Sequence, residues 1–441
     1  MANPSSFASH FRHISAVYDK ALERSNFDQL NVYSGARKYR HNDDLPYPFH
    51  VNTQFKALIP LADAPYSWVI WRPSQKPTLV FLQSLNFWYA PPSLPEDGWL
   101  DLFDVVVIRS PEEARPYVTT GGNCAFLGEP DPGIASWNVG ERNPESMIHF
   151  LAWFRSYKTP YEVSCIEEAN RISAKGHCAA REVFYQGGSE FEVSEAFQLA
   201  CSQGEDELAY PSVIGINEHA AILHYIVRDR KSPPKENLHS MLIDAGASFA
   251  GYASDVTRTY AFAEGMFKDM IVALDREQRG FVDRLNTAET YQEANIDALT
   301  SVAALLKDFG VIKCCVDTAL ELGVVQVFMP HGISHFLGLQ VHDVGGQQAG
   351  LDGELPNPDS RIQTANRLHR KVEPGHVVTV EPGIYFIETL LKQIAESRNR
   401  GIVDWDVVEQ LRPYGGIRIE DNIAVSADGV VNLTRDAFGA V

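Results

Sequence analysis

The chain has 441 residues, 45% of them hydrophobic and 11% aromatic, which supports folded cores throughout and two or three domains at roughly 100 to 200 residues each. Its formal net charge of -19, with no basic cluster to offset it, would repel phosphate backbones and anionic lipid heads, so nucleic acid and membrane surfaces are excluded as partners. The opening MANPSSFASHFRHIS lacks the apolar core of a secretory signal, and no later run approaches the ~20 apolar residues of a bilayer span, so the sequence reads as cytoplasmic.

Residues 1–158 mix short β-rich runs at 68–71, 78–82 and 105–108 with proline- and glycine-bearing turns and helices, which predicts an α/β domain. No chemical motif lies in this half, and Asp43 to Asn52 reads as an ordered loop. At Thr159-Pro-Tyr-Glu162 a helix start appears, with Thr159 as cap, Pro160 at the first helical position and Glu162 reaching back to the cap amide. A second domain, 159–441, begins there. Ile166, Ala169, Ile172, Val183 and Phe184 keep near-helical spacing until Gly187-Gly188, and Ser189-Glu-Phe-Glu192 caps a second helix. Beyond them, helices alternate with apolar β runs at 241–244, 377–381 and 417–425. The six cysteines form no Cys-x-x-Cys pair and read as buried free thiols, with Cys314-Cys315 in an apolar helical stretch.

Four acids stand out on the predicted strands. Asp244 closes an apolar strand, and a glycine-containing connection leads to Asp255. Glu381 ends a strand before Pro-Gly, and Arg418 and Glu420 share one face of the last strand. Each alone reads as an ordinary strand-end or cross-strand charge. Together with His331-Gly-Ile-Ser-His335 and His342, they form an oxygen-rich donor set with a nitrogen, suited to two hard or borderline divalent ions. Two such ions about 3.5 to 4 Å apart can lower the pKa of water, polarise a carbonyl and stabilise an oxyanion, which implies hydrolysis. His-Glu-x-x-His, Gly-x-Ser-x-Gly and phosphate-loop patterns are missing.

The ordered set Asp244, Asp255, His331-x-x-x-His335, Glu381-Pro-Gly and Arg418-Ile-Glu420 resembles the pita-bread metallopeptidases, and among them the bacterial Xaa-Pro dipeptidases (prolidases), which include organophosphorus acid anhydrolases. The resemblance implies an α/β N-terminal domain plus an α+β pita-bread (creatinase/aminopeptidase-like) catalytic domain. It implies two divalent ions per subunit, manganese first and cobalt or zinc as alternatives. Asp244, Asp255, His335, Glu381 and Glu420 would be their ligands, Asp255 and Glu420 bridging both, with Glu381 also accepting a proton from the attacking water. By the same resemblance His331 and His342 would donate hydrogen bonds to substrate or the tetrahedral intermediate, and His224 would contact substrate. Tyr210 would line the pocket, and Arg418 would orient the carboxylate ligands. Arg367 and Arg370 match an Arg-x-x-Arg pair, either of which could bind the free carboxylate of a dipeptide. Leu368-His369 between them departs from the smaller residues expected, leaving pocket shape and dipeptide preference open, and Ser334 resembles aminopeptidase P.

The reaction implied is cleavage of the bond before a C-terminal proline by a homodimer, with Asp43 or Asp44 near the partner's pocket and organophosphate hydrolysis as a promiscuous activity. The alternatives are aminopeptidase P, acting on longer Xaa-Pro peptides, and a noncatalytic pita-bread binding protein. The five expected ligands argue against the last.

Overall fold

Runs of β-branched and aromatic residues broken by turn residues give the first unit its sheet. In the computed structural model, which describes residues 4–441 apart from 86, 89, 91, 95–97, 120–121 and 357–365, the chain forms two units. These are Met1–Cys165 with Gly350–Glu354, and Ile166–Ala349 with Leu355–Val441. The first unit holds a six-stranded sheet built from β1 (Gln29–Tyr33), β2 (Trp68–Trp71), β3 (Thr78–Leu82), β4 (Asp104–Ile108), β5 (Cys124–Leu127) and β6 (Glu141–Arg142), in the order β4-β3-β2-β1-β5-β6. The β1–β2 and β2–β3 pairs are antiparallel and the rest are parallel. Three strands fall at the predicted runs. β1 and β5, uniformly buried beside one another, and the exposed edge strand β6 complete the sheet. The segment from Asp43 to Asn52 is irregular apart from a bridge between Tyr39 and Pro46.

Both predicted caps form, the first in the last residues of the first unit and the second within the second unit. Glu162 accepts from the Thr159 amide at 2.8 Å and the helix runs Pro160–Gln186, while Ser189 and Glu192 form a full capping box on the helix Glu190–Cys201. These helices cover one face of the antiparallel sheet β11-β8-β7, formed by β7 (Val213–Ile216), β8 (Ser240–Asp244) and β11 (Thr257–Ala261), through a core that includes Phe184, Val193, Phe197, Ile214, Met241 and Ile243. Between β8 and β11 lies a small hairpin of β9 (Ser248–Phe249) and β10 (Tyr252–Ala253). Its Ala250-Gly251 turn has positive φ at both positions, as a two-residue hairpin requires.

A second sheet, β12-β15-β16, and the pair β13-β14 come from β12 (Val377–Val380), β13 (Gly383–Tyr385), β14 (Gly416–Arg418), β15 (Asp421–Ser426) and β16 (Gly429–Asn432). The helices Met266–Arg284 and Tyr291–Asp308 share a core with Val378, Val380, Ile417, Ile419 and Ile423. Strand pleating then turns the alternate residues Asp244, Thr257, Thr259, Thr379, Glu381, Arg418 and Glu420 away from the helices, so a polar face is the counterpart of each apolar one.

Three expectations need correction. Only Asp244 of the four acids lies within a strand; Asp255 precedes β11, Glu381 follows β12, and Glu420 forms an isolated bridge with Thr257. The run 417–425 is not one strand, because the chain leaves the β13 partnership after Arg418 and joins β12 at Asp421. Cys314 and Cys315 sit in a turn, with Cys315 exposed at a helix cap, while Cys124, Cys165 and Cys201 are the buried thiols. No helix among the described residues is long and apolar enough to cross a membrane.

His177, fully buried on the long first helix, donates from Nε2 to the carbonyl of Ala245, next to Asp244, at 3.0 Å. Burial pushes its pKa down to about 3, the charge of Arg258 adding to the effect and the Ala245 bond opposing it. A histidine whose folded-state value lies below its unfolded value stabilises the fold above the unfolded value; as pH falls, the unfolded chain binds the proton first and the stability is lost. The expected outcome is that urea unfolding of the parent loses about 2 kcal/mol more between roughly pH 7 and pH 5 than unfolding of His177→Gln, and parallel profiles would refute it.

Candidate metal centre

The polar faces of the second unit meet in a cleft of about 260 Å³ whose lining includes Asp244, Asp255, His335, Glu381 and Glu420, together with His224, His331, His342, Arg367 and Arg418. One glycine permits part of this approach. A Cβ on Gly246 would fall 1.9 Å from the carbonyl oxygen of Ser254, so any side chain there would push the Asp255 segment away from Asp244. Asn422 then clamps Asp255 by its backbone, accepting from the Asp255 amide at 3.0 Å and donating to its carbonyl.

His335 is oriented by its own chain. Its Nδ1 donates to the Phe336 carbonyl at 2.9 Å, so in the neutral ring Nε2 carries the lone pair. That nitrogen lies 3.4 Å from Asp255 Oδ2 and 3.3 Å from Glu381 Oε1. Thr379 fixes Glu381 by donating to Oε1 at 3.1 Å, and Thr257 donates to Glu420 Oε2 at 2.6 Å. Ligand atoms of Asp255, His335 and Glu420 lie within 4.8 Å of one another. The Tyr210 hydroxyl stands 2.6 Å from both Asp244 Oδ1 and Asp255 Oδ1. It therefore braces the two aspartates and is not among the residues lining the cleft.

The electrostatics of this set call for a cation. Burial, reinforced by neighbouring carboxylates, pushes the Glu381 carboxyl up to about 7 and raises Glu420 and Asp244 above the usual carboxylate range. Burial also opposes ionisation of Asp255, but the hydrogen bond and charge of His335, with Tyr210, outweigh it and hold Asp255 low. For His335, burial favours the neutral ring, and Asp255 and Glu381 overturn that preference. Mutually repelling buried carboxylates facing the Nε2 of an imidazole, which gives up its proton when a cation takes that place, are the donor chemistry of a divalent-ion site, and the residues fit one.

Arg418 is the counter-charge. Its guanidinium pairs with Asp244, donates to Thr257 at 3.1 Å and to the Tyr385 hydroxyl at 2.9 Å, and lies 3.8 Å from Glu420. Tyr385, absent from the sequence reading, is 2.8 Å from His331 Nε2. Because His331 Nδ1 lies 2.8 Å from the Gly332 carbonyl and must donate to it, the Tyr385 hydroxyl donates to Nε2. Burial, aided by the charge of Arg418, pushes His331 down to about 4 and keeps the ring neutral. Both its nitrogens are thus engaged in this structure, and a donor role toward substrate would require one to be released. His342 packs edge-on to His335 with ring centroids 4.5 Å apart, and burial with the charge of His335 lowers it to about 4.

The two candidate carboxylate-binding arginines separate. Arg367 is exposed and lines the cleft, whereas Arg370 is 4% exposed, lies over the Phe336 ring and pairs with Glu373. Leu368 turns into the core and leaves the pocket wall to its neighbours. Ser334 lines the cleft while its hydroxyl donates to the Thr379 carbonyl at 2.6 Å. Tyr385 left one signal in the sequence: its place four residues after Glu381, in the strand that the Pro-Gly turn starts.

Residues 5–153 match the family described as Xaa-Pro dipeptidase, N-terminal domain, and residues 164–427 match metallopeptidase family M24. The chain is 42% identical over 438 residues to the Xaa-Pro dipeptidase of Stenotrophomonas maltophilia (strain K279a), covering 98% of this chain and 97% of the relative. It is 40% identical over 437 residues to Xaa-Pro dipeptidase 2 of Idiomarina loihiensis, covering 98% of each. Among solved structures, Escherichia coli aminopeptidase P with the inhibitor Pro-Leu superposes with a TM-score of 0.72 at 20% identity, over 99% of this chain and 95% of that one, a likeness of fold. The chain belongs to metallopeptidase family M24, its pita-bread catalytic fold preceded by an N-terminal domain of the Xaa-Pro dipeptidase type.

Proposed function

We propose that the protein is a metal-dependent dipeptidase that hydrolyses Xaa-Pro dipeptides, with two divalent ions, manganese foremost, held by Asp244, Asp255, His335, Glu381 and Glu420. The carrying observation is that these side chains share one cleft with a single exposed-side arginine, Arg367, and with His224 and His342. Bound ions would polarise the scissile carbonyl and acidify water. Glu381 accepts the proton of the attacking water at Oε2, since Thr379 holds Oε1, and passes it to the departing proline nitrogen. Arg367 takes the substrate carboxylate in a forked pair. His224 and His342 contact the dipeptide, and Arg418 and Tyr210 hold the aspartates in place. An oxygen-rich set with one imidazole supports manganese over zinc.

The proline-release assay on a metal-loaded preparation tests this, and no turnover across a panel of Xaa-Pro dipeptides would sink it. Tripeptides with proline second, cut faster than dipeptides, would move the reading to aminopeptidase P. We rank phosphotriester hydrolysis below peptide cleavage unless its rate rivals it. We also read the protein as a cytoplasmic homodimer. Tyr39, Leu45 and Tyr47, exposed on the loop that carries Asp43 and Asp44, support a covering second copy, which sedimentation would detect.

Arg367→Leu is expected to raise KM for dipeptides by about tenfold to a hundredfold with little change in melting temperature. Arg370→Leu should destabilise the fold and leave KM near the parent's. The reverse pattern would exchange the two roles.

A further inference from the structure

His224 reaches the cleft on the long connection between β7 and β8, where Ala220 and Leu223 pack against Leu242 and Tyr385 but the residues around His224 are mostly exposed. His224 is itself exposed, and its neighbours Ile222, Ile226 and Val227 are 51%, 62% and 64% exposed. The adjacent Tyr225 is buried, and its hydroxyl donates to Glu190 Oε2 at 2.9 Å.

Glu190 stands at the first position of the helix Glu190–Cys201, where the helix dipole favours a negative charge, and is 1% exposed. Its carboxylate gathers donors from both sides of His224. Oε1 accepts from the Ile216 amide at 2.9 Å and lies 2.7 Å from His219 Nδ1; Oε2 accepts from Tyr225 and, at 2.8 Å, from the Asp229 amide. The His219 ring stacks on Tyr225 with centroids 4.5 Å apart, and the Phe191 amide donates to the Asp229 carbonyl at 3.1 Å. Glu190, His219 and Asp229 also bring possible metal-ligand atoms within 4.8 Å of one another. A carboxylate offers about four lone-pair sites, however, and the four donors fill those of Glu190, which makes it an anchor.

We propose that Glu190 is the positioning residue for His224: one buried carboxylate fixes the segment from Ile216 to Asp229, presents the imidazole to the cleft and thereby sets the affinity for the dipeptide. The proposal rests on the reading of His224 as a substrate contact.

Replacing Glu190 by glutamine sets an amide donor against existing donors without changing size. Glu190→Gln is expected to raise KM for an Xaa-Pro dipeptide about tenfold while changing kcat less than about twofold, with metal content equal to the parent's. In a His224→Ala background it should add nothing, because both act through one imidazole. Trypsin should also cut the metal-loaded Glu190→Gln protein faster at Arg228, a readout independent of turnover. Tyr225→Phe, which removes one hydrogen bond and keeps the ring buried, should shift KM in the same direction by less, and covers the case in which Glu190→Gln does not fold.

Additive losses in the double variant, or parent-like KM and proteolysis in Glu190→Gln while His224→Ala is impaired, overturn the anchor alone. His224→Ala with parent-like KM overturns the His224 reading and the proposal with it. Loss of an ion from Glu190→Gln would show a metal site in place of an anchor. A parent that releases no proline fails the dipeptidase reading, and the trypsin comparison then decides the anchor separately.

Discussion

Asp255→Asn is expected to lower kcat/KM for Xaa-Pro dipeptides by about a thousandfold or more and to reduce the metal content of the purified protein. The amide keeps the shape of the side chain, so the hydrogen bonds to the Asp255 backbone from Asn422 can persist. What changes is the charge facing His335 Nε2, and an amide oxygen is a poor ligand for a cation that must also hold water. The amide nitrogen would also point donors at a region otherwise lined by acceptors. Metal analysis and proline release on the same preparation decide the matter. Parent-like metal content with parent-like turnover would mean that the centre has been assigned to the wrong residues.

The second large effect belongs to a side chain that touches no ion in the proposed scheme. Arg418→Met should destabilise the metal-free protein by about 3 kcal/mol, because the Asp244 carboxylate loses its ion pair inside the fold while Tyr385 and Thr257 lose a donor. Bound divalent ions would supply part of the missing positive charge, so the same substitution should cost less stability once metal is present. Activity should nevertheless fall by about a hundredfold, since Tyr385 and through it His331 lose the group that orients them. Urea unfolding with and without metal, alongside kcat/KM, reads all three. Equal destabilisation in both metal states would show that Arg418 balances no charge at the centre.

Local structure was legible in the sequence wherever one residue's chemistry decides it. The capping pairs Thr159 with Glu162 and Ser189 with Glu192 announce their helices, and apolar runs mark β2, β3, β8 and β12. The acids and the histidine that meet in the cleft could be picked out because their motifs stand in a recognisable order. Long-range choices were not. The change of partners between Arg418 and Asp421 preserves the alternation of side chains, so the hydrophobic pattern is the same for one continuous strand as for two. The roles of Tyr385 and Glu190 depend on which donors the fold brings to them, and neither has a spacing of its own to announce this. The bend at Cys314-Cys315 departs from the helix that its apolar neighbours suggest, because apolar residues at short range carry no period.

The bridge between Thr257 and Glu420 has a bearing on how the molecule assembles. It joins two segments 163 residues apart, next to proposed ligands that come from both sides of that separation. Closing so long a loop is slow compared with forming either helix pair, so the cleft should be among the last features to appear during folding. Ions arriving early would meet only Asp244 and Asp255 on one segment, a weak half-site. Metal capture would then act as a latch that keeps the far segment from reopening, and ion uptake during refolding should lag behind the recovery of helical signal.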